Sequence, residues 1–337
     1  MKLGSLKNDT RDGALIVVSK NLRHARIACE VAPTLQAVLD DWDYLAPQLK
    51  ELYDDLNRSP GPRAFELDPR QLAAPLPRAY QWVDASAYLP HMERVRKARE
   101  ASMPADIKKA PLMYQGDSDY FIGPHDPIEA ASEDWGIDLE AEIAVLLGDV
   151  PMGLKPERAA AAIRLLALVN DVSLRNLIPA ELAKGFGFLH GKGATAFSPV
   201  AVTPEELGEA WDGKRLHLPL TVHVNDKRIG APDCGVDMQF DFPHLIAHAA
   251  KTRRLGAGTV LGSGTVSNHG HKAGQACIAE IRAIETLEQG KPATPYLKFG
   301  DRVRIEMFDP GGQSIFGAVD QQVVHYDTPR ASGGSVS

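Results

Sequence analysis

Asp138-Leu139-Glu140-Ala141-Glu142-Ile143-Ala144-Val145-Leu146-Leu147 is the stretch on which the reading of this chain turns. Read as a strand, residues two apart share a face. Glu140 and Glu142 then project side by side, followed on the same face by Ala144 and Leu146. Leu139, Ala141, Ile143, Val145 and Leu147 line the other face. Two adjacent carboxylates repel each other unless a cation or a proton sits between them. A solvated strand face is the simpler reading of a Glu-x-Glu pair by itself. The apolar continuation of the carboxylate face weakens that reading here, because it predicts burial.

Outward from this strand, Leu166 to Asn170 is a second apolar strand that ends at Asp171, with Arg175 four residues on. An aspartate there also suits a helix N-cap. Upstream, Trp82-Val83-Asp84-Ala85 carries a further acid, and His91 follows seven residues later. Leu218–Asn225, Ala276–Ile284 and Arg302–Phe308 read as strands. Pro156–Leu166 and Phe242–Thr252 read as helices. Asn225-Asp226-Lys227 and Asp309-Pro310-Gly311-Gly312 fit hairpin turns. Many strands, few helices and frequent glycines predict a mixed α+β, β-rich body built as a roll or barrel-like sheet.

Before this body, Ala14–Val18 reads as a strand. Leu35 to Leu56 shows helical spacing, and Pro47 predicts a break or restart there. Residues 59–77 are rich in Pro and Gly and read as a linker. The expected organisation is a small N-terminal α/β domain with its linker over 1–77, a catalytic domain over 78–328, and a flexible low-complexity tail over 329–337.

The chain has 337 residues, 44% of them apolar and 24% charged, which suits a globular protein with a sizeable core. Its formal charge is −7, so nothing draws it to nucleic acid or to an anionic membrane. No run of about 18 uncharged apolar residues reads as a membrane span. Cys29, Cys234 and Cys277 match no disulfide or zinc spacing and read as reduced thiols of a cytoplasmic protein. Four other motifs carry little. The Gly187–Gly193 loop lacks the Ser or Thr of a phosphate loop. His244 and His248 lack the glutamate of a zinc protease. Asn268-His269-Gly270-His271 reads as a polar loop, and Gly262-Ser263-Gly264 lacks the setting of a hydrolase nucleophile.

In order along the chain stand Asp84 with His91; Tyr114 in Met113-Tyr114-Gln115-Gly116; Glu140-Ala141-Glu142; Asn170-Asp171-Val172-Ser173-Leu174-Arg175; Gly191-Lys192 before Phe197-Ser198-Pro199; Gly262-Ser263-Gly264-Thr265-Val266-Ser267; and Glu280. Together they resemble the fumarylacetoacetate hydrolase family over about Tyr80 to Tyr326. The N-terminal segment is similar to that of the fumarylacetoacetase branch. The resemblance implies a hydrolase that cleaves a carbon–carbon bond in a 1,3-diketone acid, with fumarylacetoacetate from tyrosine breakdown as the substrate and fumarate and acetoacetate as products. It puts the metal ligands on Asp84, Glu140, Glu142 and Asp171, and a general-base dyad on His91 with Glu280. Arg175 and Lys192 would face substrate oxygens; Tyr114 and Thr265 would hold a substrate carboxylate. It also implies one Mg²⁺ or Ca²⁺ ion and a homodimer. The glutamine and threonine of the fumarylacetoacetases are Ile178 and Ala196 here.

The chemistry is coherent. Four carboxylates are a hard all-oxygen set, suited to Mg²⁺ or Ca²⁺ and not to zinc. Such an ion can polarise both oxygens of a β-diketone. A histidine titrates near neutrality and can deprotonate water. Alternative substrates are fumarylpyruvate and other acylpyruvates. Alternative reactions on the same frame are hydration or decarboxylation of a 2-oxo acid, and decarboxylation does not need the dyad. A binding protein without catalysis would not need every ligand in place.

Overall fold

The computed structural model describes residues 1–328 apart from Ala101, Pro104 and His271. The tail over 329–337 and part of the Asn268–His271 loop therefore lie outside the described residues. The strands are β1 (Lys2–Leu6), β2 (Ala14–Val18), β3 (His24–Ile27), β4 (Phe65–Glu66), β5 (Trp82–Ala85), β6 (Met113–Gly116), β7 (Ile128–Ala130), β8 (Ile137–Asp138) and β9 (Ala141–Leu147). They continue with β10 (Ile163–Asn170), β11 (Ser173–Leu174), β12 (Ala196–Phe197), β13 (Ala201–Val202), β14 (Leu220–Val224), β15 (Lys227–Gly230), β16 (Val260–Gly262), β17 (Arg302–Met307) and β18 (Val319–His325). The helices are α1 (Leu35–Asp40), α2 (Trp42–Arg58), α3 (Leu89–Ala98), α4 (Pro156–Ala159), α5 (Ile178–Leu182), α6 (Phe242–Ala249) and α7 (Ile278–Gln289).

Most strands join one 11-stranded sheet in the order β4-β3-β2-β1-β13-β10-β9-β16-β5-β6, with β12 beside β10. A five-stranded sheet, β15-β14-β17-β18-β7, packs against it. The protein is thus mixed α+β and sheet-rich, and neither sheet closes into a barrel among the described residues. Strand β9 is buried along its whole length because it is central, paired with β10 on one side and β16 on the other. Its alternation divides two cores. Ile143, Val145 and Leu147 join the core that includes Val222, Ile305 and Val319 of the second sheet. Ala144 and Leu146 join the core capped by Leu35, Val38, Leu49 and Tyr53 of α1 and α2. Glu142 lies on this second face, and so does Trp82 of β5.

Several sequence expectations need correction. The N-terminal helical region breaks at Asp41, whose φ of −133° and ψ of 51° are not helical, and Pro47 sits inside α2. Residues 59–77 are no free linker. They carry β4, which pairs with β3, and their backbone bonds to β1 through Lys7 with Gln71 and Ala73 with Ser5. The N-terminal strands themselves continue the main sheet, since β1 pairs with β13. The helix expected over 156–166 stops after α4 and one 3₁₀ turn, because Ile163 begins a strand that pairs with β9. Sheet pairing thus ends the helix just after Ala160–Ala162, which form the 3₁₀ turn. Finally, the strand expected over 276–284 is helix α7. Its period is helical, and Gly290 ends it with a φ of 79°, a left-handed C-cap that glycine adopts without strain.

Candidate metal centre and acid–base dyad

Three strands of the large sheet present acids at one end of the same face. Asp84 comes from β5, Glu142 from β9, and Asp171 from the turn after β10. All three are buried, and their carboxylate oxygens lie within 4.8 Å of one another. Strand β16 runs between β5 and β9, with Gly262 beside both Asp84 and Ala144. A Cβ at Gly262 would stand 2.3 Å from Asp84 Oδ1 and 2.4 Å from the Trp82 ring. Only glycine leaves the space that Asp84 and Trp82 occupy there. The backbone N–H of Gly264 donates to Asp84 Oδ1 at 3.1 Å.

This cluster fits a hard cation. Both Glu142 oxygens are buried without a hydrogen-bond partner, which is costly unless an ion or a proton meets them. Burial pushes the Asp84 carboxyl up to about 8, with the Asp171 charge adding to the shift. Burial and then the charge of Asp84 drive Glu142 well above the usual carboxylate range. Asp84, Asp138, Glu140, Glu142 and Asp171 are five buried acids. The cations among them are Arg175 and Lys192, whose side chains are 8% exposed. Fully ionised, this set leaves three negative charges uncompensated, and a divalent ion would reduce them to one.

Glu140 stands outside the trio. Its backbone lies in the break between β8 and β9, and its carboxylate is divided between two cations. Arg175 Nη2 donates to Oε1 at 2.7 Å and Lys192 Nζ to Oε2 at 2.5 Å. Burial opposes its ionisation, but Arg175 and Lys192 prevail and hold it far below the ordinary range. Lys192 also donates to Asp171 Oδ2 at 2.6 Å and to Ser173 Oγ at 2.8 Å, which uses all three of its protons. Arg175 places Nε on Asp138 Oδ2 at 2.8 Å. The Tyr114 hydroxyl donates to Asp171 Oδ2 at 2.7 Å, and Thr195 donates to Oδ1 at 3.1 Å. Lys192, Tyr114 and two nitrogens of Arg175 are thus bonded to carboxylates. Thr265 is buried in the loop after β16.

A second constellation joins α3 to α7. Pro90 opens α3, and His91 and Arg94 follow one turn apart on its α7-facing side. His91 Nδ1 lies 3.0 Å from Glu280 Oε2. Arg94 Nη1 and Ser267 Oγ, the latter at 2.8 Å, both donate to Glu280 Oε1. Burial would raise the Glu280 carboxyl, but the bonds from His91, Ser267 and Arg94 outweigh it and keep the group below its usual range. The buried acid is therefore an anion. His91 is 16% exposed on its side chain, so the ring opens to solvent while its partner does not.

The family model for the fumarylacetoacetate hydrolase C-terminal domain matches residues 81–324, and that for the fumarylacetoacetase N-terminal domain matches 1–78. The chain belongs to the fumarylacetoacetate hydrolase family. It is 26% identical over 219 residues to a 2,4-didehydro-3-deoxy-L-rhamnonate hydrolase from Sphingomonas sp. (strain SKA58), covering 64% of this chain and 67% of that one. It shares the fold of a fumarylacetoacetate hydrolase from psychrophilic Exiguobacterium antarcticum, with a TM-score of 0.64 and 20% identity. It also shares that of the maleylpyruvate hydrolase from Sphingobium sp. SYK-6 in complex with manganese(II) and pyruvate, with a TM-score of 0.65 and 16% identity. Each comparison covers 97% of this chain and 100% of the other.

Within this family frame, sequence reasoning missed three residues. Asp138 opens the stretch quoted first, yet it received no role. Its carboxylate accepts the N–H groups of Ile278 at 2.8 Å and Ala279 at 2.9 Å, capping α7, while it pairs with Arg175. Arg94 was signalled only by its place one turn after His91. Ser267 ends the Gly262–Ser267 motif, and nothing local marks it as a partner of Glu280.

Proposed function

We propose that this protein is a metal-dependent hydrolase that cleaves the carbon–carbon bond of a 1,3-diketone acid, with fumarylacetoacetate as substrate and fumarate and acetoacetate as products. The observation that carries the reading is the His91–Glu280 pair beside the carboxylate cluster. Asp84, Glu142 and Asp171, with Glu140 adjoining, would hold one Mg²⁺ or Ca²⁺, since all the donors are hard oxygens. Bound there, the ion would supply Lewis acidity toward the diketone oxygens. The name of the Sphingomonas relative, a hydrolase of a 2,4-didehydro acid, points to the same substrate class.

Glu280 fixes the ring tautomer, because its anionic Oε2 accepts a hydrogen bond from Nδ1–H and leaves Nε2 as the basic atom. His91 Nε2 removes a proton from water as the water oxygen adds to one carbonyl carbon. The Glu280 anion stabilises the imidazolium so formed, as the acid of a catalytic triad does. The bond from that carbon to the central carbon then breaks, and its electron pair leaves as an enolate. The imidazolium returns its proton to the enolate carbon. Lys192 and Arg175 hold Glu140 in its ionised form throughout, and Lys192 also donates to Asp171.

A spectrophotometric screen of fumarylacetoacetate, fumarylpyruvate, acylpyruvates and oxaloacetate, each with and without chelator, tests the reading. Chelator-sensitive loss of fumarylacetoacetate is expected. Turnover of oxaloacetate alone would replace hydrolysis by decarboxylation.

A further inference from the structure

Cys277 precedes α7 and is fully buried, and the hydrolytic reading gives it no task. Its Sγ lies 3.9 Å from His91 Nδ1, and one ligand atom each of His91, Cys277 and Glu280 falls within 4.8 Å of the others. A tetrahedral zinc ion has bonds of about 2.3 Å to sulfur and about 2.0–2.1 Å to nitrogen or oxygen, so its ligands stand about 3.5 Å apart for N···S and about 3.3 Å for N···O. The pairs here stand at 3.9 Å and, for His91 Nδ1 to Glu280 Oε2, 3.0 Å. Shifts of less than about 0.5 Å bring these two edges to such a geometry, and the third edge, from Cys277 to Glu280, lies within 4.8 Å.

We infer that His91, Cys277 and Glu280 form a second metal site, selective for zinc(II) and separate from the hard carboxylate site. One nitrogen, one sulfur and one oxygen make a borderline-soft donor set that Mg²⁺ and Ca²⁺ do not favour. On binding, Cys277 releases its thiol proton, and the His91 ring proton moves from Nδ1 to Nε2. The thiolate and Glu280 then balance the charge of the ion. Arg94 and Ser267 keep their bonds to Glu280 Oε1, which leaves Oε2 to turn toward the metal. A solvent water fills the fourth position on the exposed side of His91. Resting on the proposed role of the dyad, zinc here inhibits the enzyme, because Nε2 becomes a proton carrier with no basic lone pair.

The test uses the full chain kept in excess Mg²⁺, with cobalt(II) as a coloured substitute for zinc. Wild type is expected to develop a thiolate-to-cobalt charge-transfer band that saturates near one equivalent and disappears when zinc(II) is added. The band should be lost in Cys277→Ser and in Cys277→Ala and kept in Cys29→Ser; the alanine variant guards against a serine variant that misfolds. Zinc should inhibit wild type, and the half-inhibiting concentration should rise at least about 100-fold in Cys277→Ser, more than a change around a metal's ligands usually produces. No band at millimolar cobalt, or a band retained in both Cys277 variants, overturns the site. A Cys277-dependent band with unchanged turnover upholds the site and removes His91 from the mechanism.

Discussion

Stripping divalent ions from this protein should make its stability fall steeply with rising pH. The Asp84 carboxyl lies at about 8 in the fold against an ordinary value of 3.8. Between those values the folded chain holds a proton that the unfolded chain has lost. Unfolding then releases a proton, so stability declines as pH rises through this window, and the full loss is reached above about 8. Each pH unit costs about 1.4 kcal/mol per retained proton. From pH 5 to 8 one proton therefore corresponds to roughly 4 kcal/mol, a fall in Tm of roughly 5–10 °C for a chain of this size. Glu142 is raised by burial and by the charge of Asp84, so its contribution has the same sign. A divalent ion among the trio compensates both groups when ionised, so the slope should flatten in excess Mg²⁺. Scanning calorimetry from about pH 5 to 8, with chelator and with Mg²⁺, measures both curves. Glu142→Gln removes one buried charge and should flatten the chelated curve while weakening the response to metal. Parallel, level curves with and without metal would refute the argument, for they would mean that the three carboxylates are compensated by the protein itself.

His91→Ala should lower kcat by about 10²–10⁴-fold with metal affinity nearly unchanged, whereas Asp84→Ala should lose metal and activity together; isothermal titration with Mg²⁺ beside initial rates separates the two. A His91→Ala enzyme within a few-fold of wild type would take the residue out of the mechanism. Arg94→Met removes a cation from Glu280 without touching the ring, so kcat should drop about tenfold and the acid limb of the kcat/KM profile should move to higher pH, a displacement that a purely structural role for Arg94 would not produce. Light scattering at micromolar concentration should give the mass of a homodimer; a monomer mass would refute that expectation.

Much of the site was legible because it sits on strands whose alternation is local. The quoted run predicted a buried strand with Glu142 on one face, and β9 is that strand, with Ala144 and Leu146 continuing the carboxylate face into the core. The order of Asp84, His91, Tyr114, Glu140, Glu142, Asp171, Arg175, Lys192, Thr265 and Glu280 carries the family resemblance. Other features depend on partners far away in the chain. Cys277, at the N-cap of α7, supplies no side-chain cap, so the sequence carries no start signal and the first residues of the helix read as a strand. The cap is Asp138, about 140 residues earlier, and it exists only once β8 and α7 meet. Glu140 reads as the twin of Glu142 when strand alternation is extended to it, but β9 begins at Ala141. A break before Ala141 frees its carboxylate to meet Arg175 and Lys192. The Gly262 gap, Arg94 on Glu280 and Cys277 beside His91 likewise arise from packing between elements. Sequence determined which residues are acids, bases and strand formers, since those are properties of short segments. Which acid meets a cation, which meets only other acids, and which one caps a helix were decided by the tertiary structure, because Coulomb and hydrogen-bond energies depend on distances that no local pattern encodes.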